Sequence, residues 1–380
     1  MSIHPAPVDV SKSMPRFPEL DGMRGIAVLL VFFHHITLLS GAGQWSTLQT
    51  ALSAIFVFGR FGVDIFFVLS GFLITSLLIK DSDSPAYYRD FYWKRVLRVL
   101  PLYFVVLLLI LIFVPHSGPY VAFAAFFLAN FASIFHIYLT TPFWSLAVEE
   151  QFYLLWPTVA RRRSLLSLSR IAILVAAVSF ILRLLFALRG HYNFYFTHLR
   201  CDGLALGALL ACRFEYRRRH HLASTADDRP LLITLIAGLA AFVSAQLLGA
   251  HGPHVAFAAN LELTGVTLFF CGLIGLLIAH TGARAVAVLR SPLLTFFGLI
   301  SYAFYLVHSF TMLAYDKLHG SLRAGDNAAY LIRMAAVLAI SIALSLLSRY
   351  LIELPALSLR RRVLSKSAPK AETELSLIHE

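Results

Sequence analysis

Two ionisable side chains in the apolar stretch 20–35, LDGMRGIAVLLVFFHH, have types and a spacing that suit chemistry. Arg24 and His35 are eleven positions apart, which on an α-helix is ~16 Å along the axis and within ~20° of one face. A guanidinium can hold an anion, and an imidazole can accept a proton near neutral pH. The alternative is that Arg24 is an interfacial anchor, and that His34 and His35 are satisfied core residues.

A carboxylate, Asp64, lies in a second apolar stretch, 60–79. A charged group in such a stretch needs a partner. The sequence offers Arg24 or Arg60, and a structural ion pair is favoured over a functional acid.

Two arginines three positions apart, Arg95 and Arg98, precede another apolar run. They share a helix face, and planar guanidinium groups suit bidentate contacts with phosphate. Composition alone favours the plainer interpretation, in which both contact lipid headgroups and help to fix the topology.

Adjacent glutamates, Glu149 and Glu150, lie a few residues inside the segment 143–160. On a helix they point ~100° apart, so they are expected to have different roles, with Tyr153 one turn beyond both.

Further polar residues predict an Arg183–Asp202 or Arg200–Asp202 ion pair. The stripe Ser301, Tyr305 and His308 suggests helix–helix packing or one wall of a cavity.

The elements that must position these residues are apolar helices. The 380 residues are 59% hydrophobic and 14% charged, and the mean hydropathy is +0.76, which is typical of an all-α, polytopic membrane protein. We predict ten spanning helices, and we interpret 119–138 as a re-entrant or interfacial helix. The ten ranges are 22–40, 56–79, 97–114, 143–160, 169–188, 198–213, 231–249, 256–280, 293–314 and 328–351.

Basic residues support this topology. With both termini in the cytoplasm, 25 of the 32 Lys and Arg residues fall on the cytoplasmic side, as the positive-inside rule requires. The net charge of +12 is therefore assigned to topology in a multi-pass inner (cytoplasmic) membrane protein, and no nucleic-acid partner is expected. The predicted organisation is a cytoplasmic tail at 1–19 without a cleavable signal peptide, a membrane domain at 20–355, and a cytoplasmic tail at 356–380.

Cysteine chemistry is not expected. Cys201, Cys212 and Cys271 lie in apolar segments without CxxC spacing, which indicates neither a disulfide framework nor a metal site.

Five strings in order resemble acyltransferase family 3, whose members O-acylate glycans, lipids and secondary metabolites. They are LDGMRGIAVLLVFFHH, RFGVDIFFVLSGFLI, YWKRVLRVLPLYF, FWSLAVEEQFYLLWP and ISYAFYLVH. The resemblance implies a donor such as acetyl-CoA or another acyl-CoA, and an acceptor hydroxyl on a carbohydrate, a lipid-linked sugar, a lipid or a small molecule. The chain is expected to lack the C-terminal extracytoplasmic SGNH-type domain of many members, and so to act alone or with a separate extracytoplasmic partner.

The resemblance also implies roles for particular residues. Arg24 and His35 fit the family's spacing of a basic residue, ten residues and a histidine; Arg95 and Arg98 fit its RxxR motif; Glu149 fits its acidic motif. His35 is then the base or an acyl-carrying nucleophile, and Glu149 orients the acceptor or the histidine from the opposite side. Arg24, Arg95 and Arg98 are implied to bind the phosphates of CoA.

Two other interpretations remain open at this point. A proton-coupled transporter would use Asp64, Glu149 and His308 as a relay. In a scaffold protein, the polar residues would serve packing and topology only.

Overall fold

The computed structural model describes residues 18–38, 45–137, 139, 142–191, 195–223, 225, 227–249, 255–320 and 325–358. The predicted tails fall almost entirely outside these ranges. The described residues form thirteen α-helices and no strand. The helices are α1 Pro18–Leu38, α2 Thr47–Phe56, α3 Gly62–Lys80, α4 Tyr87–Phe113, α5 Gly118–Ala125, α6 Phe143–Ala160, α7 Leu165–Leu188, α8 Thr197–Arg200, α9 Asp202–Arg219, α10 Arg229–Gly249, α11 Val255–Ala279, α12 Pro292–His319 and α13 Asn327–Ser348.

Ten long helices lie at the ten predicted spans, and eight apolar stretches are long enough to cross a membrane. This confirms an all-α, polytopic membrane architecture. The two long helices that are not among these eight stretches are α6 and α9, with 18 residues each. They carry charged residues inside the helix, Glu149 and Glu150 in α6 and Asp202 in α9. The segment 119–138 forms the short helix α5 and a 3₁₀ segment, Ala129–Phe135. At ~1.5 Å per residue, neither piece can cross a hydrocarbon core of ~30 Å.

Glycines allow α1 to pack closely against α12. A Cβ added at Gly298 would lie 1.9 Å from the carbonyl oxygen of Asp21, and one at Gly25 would lie 2.1 Å from that of Leu294. Such close approach through small residues is typical of membrane helix pairs. The consequence for function is that α1, which carries Arg24 and His35, is held closely against α12, which carries His308.

Buried ion pairs connect the central helices. Arg183 lies 2.8 Å from Asp202, which confirms one of the predicted pairs. The predicted partner of Asp64 was wrong: the carboxylate bonds to Arg200 at 3.0 Å, with both side chains almost fully buried. Arg60 is 41% exposed and pairs instead with Glu262 at 2.6 Å. A buried charge needs a buried counter-charge, and Arg200, whose side chain is 5% exposed, supplies it.

Candidate active site

Arg24 and His35 both lie on α1, which runs without a break past both positions. Their predicted placement on one helix is therefore confirmed. The C-terminal end of α1 is held by Arg333, which donates to the carbonyl oxygen of Ile36 at 3.1 Å. Arg333 is itself fixed by Asp316, with two N–O distances of 2.7 Å. The backbone beside His35 is thus anchored to α12 and α13.

His35 pairs with a second histidine from α12. Its Nδ1 lies 2.8 Å from Nε2 of His308, and the two rings stack with centroids 5.1 Å apart. His308 is fully buried, whereas His35 is half-buried. Phe32 and Phe304 pack edge-on or stacked against His308. His308, the buried member of the imidazole pair, is therefore packed among aromatic rings.

A cavity of about 560 Å³ lies between α1, α3, α4, α6 and α12. It brings together four of the five predicted site residues: Arg24, Arg95, Arg98 and Glu149. The fifth, His35, is not among the lining residues. The wall also includes Asp21, Lys80, Asp81 and Lys94, the hydroxyls of Ser70, Ser145, Tyr153, Ser301, Tyr302 and Tyr305, and apolar side chains mainly from α3.

Two arginines on the wall make no ion pair with a carboxylate among the described residues. These are Arg24 and Arg98, whose guanidinium groups are close enough to repel each other. Lys94, on the same wall, is paired with Asp81 at 3.5 Å. Two neighbouring cations that make no ion pair with a described carboxylate create a site that favours a polyanion.

Arg95 differs from Arg98 although both lie on the cavity. It bonds to Glu150 through two nitrogens, with N–O distances of 2.5 to 3.0 Å. Its guanidinium also lies over the ring of Tyr153, 3.5 Å from the centroid. Arg95 therefore holds α4 against α6, and its assignment to donor binding stays a prediction.

Glu149 and Glu150, which a ~100° offset on the helix separates, have different hydrogen-bond partners. The carboxylate of Glu149 accepts hydrogen bonds from the hydroxyls of Ser70 and Tyr153, and lies 4.0 Å from Arg95. We expected Glu149 to enter from the side opposite to Arg95 and Arg98. The structure instead places all three on the wall of one cavity.

Tyr305 lies between the cavity and the histidine pair. Its side chain lines the cavity, its hydroxyl bonds to Ser145, and its ring centroid is 5.8 Å from that of His308. Phe66, also on the wall, packs edge-on against Tyr305. Tyr305 thus lies between the cavity and His308, the partner of His35.

Of the two interpretations of the stripe Ser301, Tyr305 and His308, one wall of a cavity holds for Ser301 and Tyr305. Sequence reasoning missed the site roles of Ser70 and Ser145, and did not pair His308 with His35. The polar stripe of Ser301, Tyr305 and His308 was the available signal, because three polar residues on one face of an apolar helix need partners. Within the described part of the chain, no three His, Cys, Asp or Glu side chains are grouped so as to hold a metal ion.

The amino-acid sequence is similar to those of known membrane acyltransferases. A family model described as an acyltransferase domain, of acyltransferase family 3, matches residues 17–349. The chain is 28% identical over 334 residues to the "Putative O-acetyltransferase" of Staphylococcus aureus strain COL, covering 78% of this chain and 51% of that protein. It is 33% identical over 160 residues to the peptidoglycan O-acetyltransferase OatA of Listeria monocytogenes, covering 37% and 23% respectively.

A third relative, the "Putative peptidoglycan O-acetyltransferase YrhL" of Bacillus subtilis, is 31% identical over 231 residues, with 53% and 34% covered. The chain thus spans about half the length of the curated relatives it matches first. No solved structure gives a significant match. Because the family model covers most of the chain, including every residue of the cavity wall, the protein belongs to acyltransferase family 3.

Proposed function

We propose that this protein is a membrane O-acetyltransferase that moves an acetyl group from acetyl-CoA to a hydroxyl of a cell-envelope glycan or its lipid-linked precursor. One observation carries the proposal. One cavity has on its wall the cations Arg24 and Arg98, which make no ion pair within the described ranges, and meets, at Tyr305, the pair His35–His308. This arrangement suits an anionic donor and a proton-accepting group held at opposite ends of one path.

The donor end is defined by Arg24 and Arg98. Guanidinium groups bind phosphate oxygens through two parallel hydrogen bonds, and CoA carries several phosphates. His35 lies ~16 Å further along α1, a distance that the extended arm of CoA can span. The apolar wall residues of α3 would line that arm.

The chemical step is assigned to His35. Its imidazole takes the proton from the acceptor hydroxyl as the oxygen attacks the thioester carbonyl. The tetrahedral intermediate then collapses, the C–S bond breaks, and the CoA thiolate leaves and takes the proton back from His35. Transfer through an acyl-histidine uses the same nitrogen as nucleophile, and trapping of a labelled acetyl group on His35 would distinguish this route.

Glu149 is proposed to orient the acceptor hydroxyl. Its carboxylate is fixed by two hydroxyl donors, Ser70 and Tyr153, and faces the cavity. A carboxylate held in this way can accept a further hydrogen bond from a sugar hydroxyl.

The membrane setting belongs to the proposal as well. Ten spans with both termini in the cytoplasm would open the basic end of the cavity to cytoplasmic acyl-CoA. Glycan acceptors are supported by the names of two relatives, "Peptidoglycan O-acetyltransferase OatA" and "Putative peptidoglycan O-acetyltransferase YrhL". The three groups of the transporter relay have separate partners among the described residues: Asp64 bonds to Arg200, Glu149 to Ser70 and Tyr153, and His308 to His35.

Mass spectrometry of cell-envelope glycans tests the proposal. Cells producing the wild type are compared with cells producing His35→Ala at equal membrane levels. His34→Ala is the matched control, because His34 is the adjacent histidine and its buried Nδ1 has no hydrogen-bond partner among the residues that the structure describes. We expect an acetyl-sized mass increase with the wild type and the control, and none with His35→Ala. The same increase with His35→Ala would reject His35 as the reacting group.

A further inference from the structure

We propose that His308 is a positioning residue that holds His35 in the tautomer with hydrogen on Nδ1, so that Nε2 of His35 presents its lone pair. The inference rests on the proposed function for its catalytic meaning, but the tautomer itself follows from the hydrogen bonds alone. It gives His308 a role distinct from packing between α1 and α12.

The hydrogen bonds of His308 show which of its two ring nitrogens carries the hydrogen. Its Nδ1 lies 3.0 Å from the carbonyl oxygen of Phe304, one turn back on α12. A carbonyl oxygen can only accept a hydrogen bond, so Nδ1 of His308 carries the hydrogen. The ring is fully buried among aromatic side chains and has no carboxylate partner among the described residues. Burying an unpaired charge is costly, which favours the neutral ring with a lone pair on Nε2.

The lone pair on Nε2 of His308 in turn determines which ring nitrogen of His35 carries the hydrogen. Nδ1 of His35 is 2.8 Å from Nε2 of His308, so it must donate to that lone pair. A neutral imidazole has a single N–H, and the remaining nitrogen of His35, Nε2, is therefore the acceptor. The hydroxyl of Ser309 also approaches Nε2 of His308, at 3.2 Å, and is the longer of the two contacts.

The histidine pair is held rigidly from both sides. His308 is fixed to its own helix by the bond to Phe304, and α1 is fixed beside His35 by Arg333. A base held in one tautomer and one orientation does not have to reorganise as the reaction proceeds.

The bond between the rings also assists the reaction. When Nε2 of His35 takes the acceptor's proton, the ring becomes an imidazolium whose Nδ1–H still points at a neutral acceptor. Hydrogen bonds from a charged donor are about twice as strong as neutral ones. His308 keeps its own hydrogen throughout, and the proton on His35 returns to the departing thiolate.

Nitrogen NMR of ¹⁵N-histidine-labelled protein in lipid nanodiscs tests the tautomer directly, because protonated and unprotonated ring nitrogens have well-separated shifts. The signals of His35 are assigned by their loss in His35→Ala. We expect hydrogen on Nδ1 in the wild type and in Thr311→Val. Thr311 is a buried residue of α12 whose hydroxyl bonds only to its own helix. In His308→Leu we expect the Nδ1–H population to fall. Hydrogen on Nε2 of His35 in the wild type would overturn the proposal.

Activity provides the second readout. Membranes are supplied with acetyl-labelled acetyl-CoA, and label transferred to envelope glycans is measured. We expect His308→Leu to lower kcat at least about tenfold with the KM for acetyl-CoA unchanged. His308→Gln should recover much of that loss, because its amide can donate to Phe304 and accept from His35 as His308 does. Equal rates for Leu and Gln variants would reduce His308 to a packing residue.

The two proposals fail in different ways. If the wild type transfers no label, the proposed acetyltransferase function is rejected, while the tautomer measured by NMR is unaffected. If the wild type and His308→Leu transfer label with the same kcat, only the positioning role of His308 is rejected.

Discussion

Arg95 and Glu150 are joined by a forked ion pair, in which Nε of the arginine lies 3.0 Å from both carboxylate oxygens. Arg98, one turn further along α4 and on the same cavity, makes no ion pair within the described part of the chain. The two arginines of one short motif therefore have different surroundings: one is fixed between helices and the other is available to an anion. Mutations at the two positions should have different effects.

Replacing Arg98 or Arg24 by lysine should weaken donor binding. Lysine keeps the charge but loses the planar fork, so bidentate contacts with phosphate are lost. We expect the KM for acetyl-CoA to rise by about tenfold, corresponding to ~1.4 kcal/mol, while thermal stability is unchanged. Steady-state kinetics in membranes measure the first quantity. A donor KM equal to that of the wild type would remove both residues from the donor site.

Replacing Arg95 by leucine should instead lower stability, because it leaves Glu150 unpaired in a largely buried position. The side chains of Arg95 and Glu150 are 17% and 12% exposed, and we expect a loss of about 2–3 kcal/mol. The double variant Arg95→Leu, Glu150→Leu should recover most of that loss, since no unpaired charge remains. Thermal melting in detergent measures this cycle. Additive losses in the double variant would contradict the ion-pair assignment.

Glu149→Gln should lower turnover without disturbing the fold. The amide oxygen can still accept hydrogen bonds from Ser70 and Tyr153, so the local geometry is preserved while the charge is removed. We expect kcat to fall at least about tenfold and the donor KM to stay the same. Glu150→Gln is the matched control, and it should reduce stability more than turnover per folded molecule. An unchanged kcat in Glu149→Gln would exclude Glu149 from acceptor orientation.

Asp64→Asn should be among the more destabilising single changes in the chain. It leaves Arg200 buried without a counter-charge, at a cost of about 3–5 kcal/mol. Glu262→Gln breaks the more exposed pair with Arg60 and should cost no more than ~1 kcal/mol. Yield of folded protein and melting temperature compare the two. Similar losses would mean that the buried pair is no more important than the surface pair.

Contacts within one helix could be predicted from the sequence, whereas contacts between distant helices could not. Helical periodicity was enough to place Arg24 and His35 on one helix and to separate Glu149 from Glu150. The pair His35–His308 joins residues 273 positions apart, and depends on how α1 packs against α12. The same limit explains the wrong partner for Asp64: Arg60 is close in sequence, but Arg200 is brought to Asp64 only by the assembled bundle.

Tyr305 has a consequence for the permeability of the membrane. A continuous path from a basic cavity through a bilayer would let protons and small ions leak and would dissipate the energy stored across the membrane. The hydroxyl of Tyr305 is bonded to Ser145, and its ring packs between Phe66 and His308. We therefore expect the ring of Tyr305 to limit such leakage between turnovers, and to be displaced when a thioester reaches the histidines.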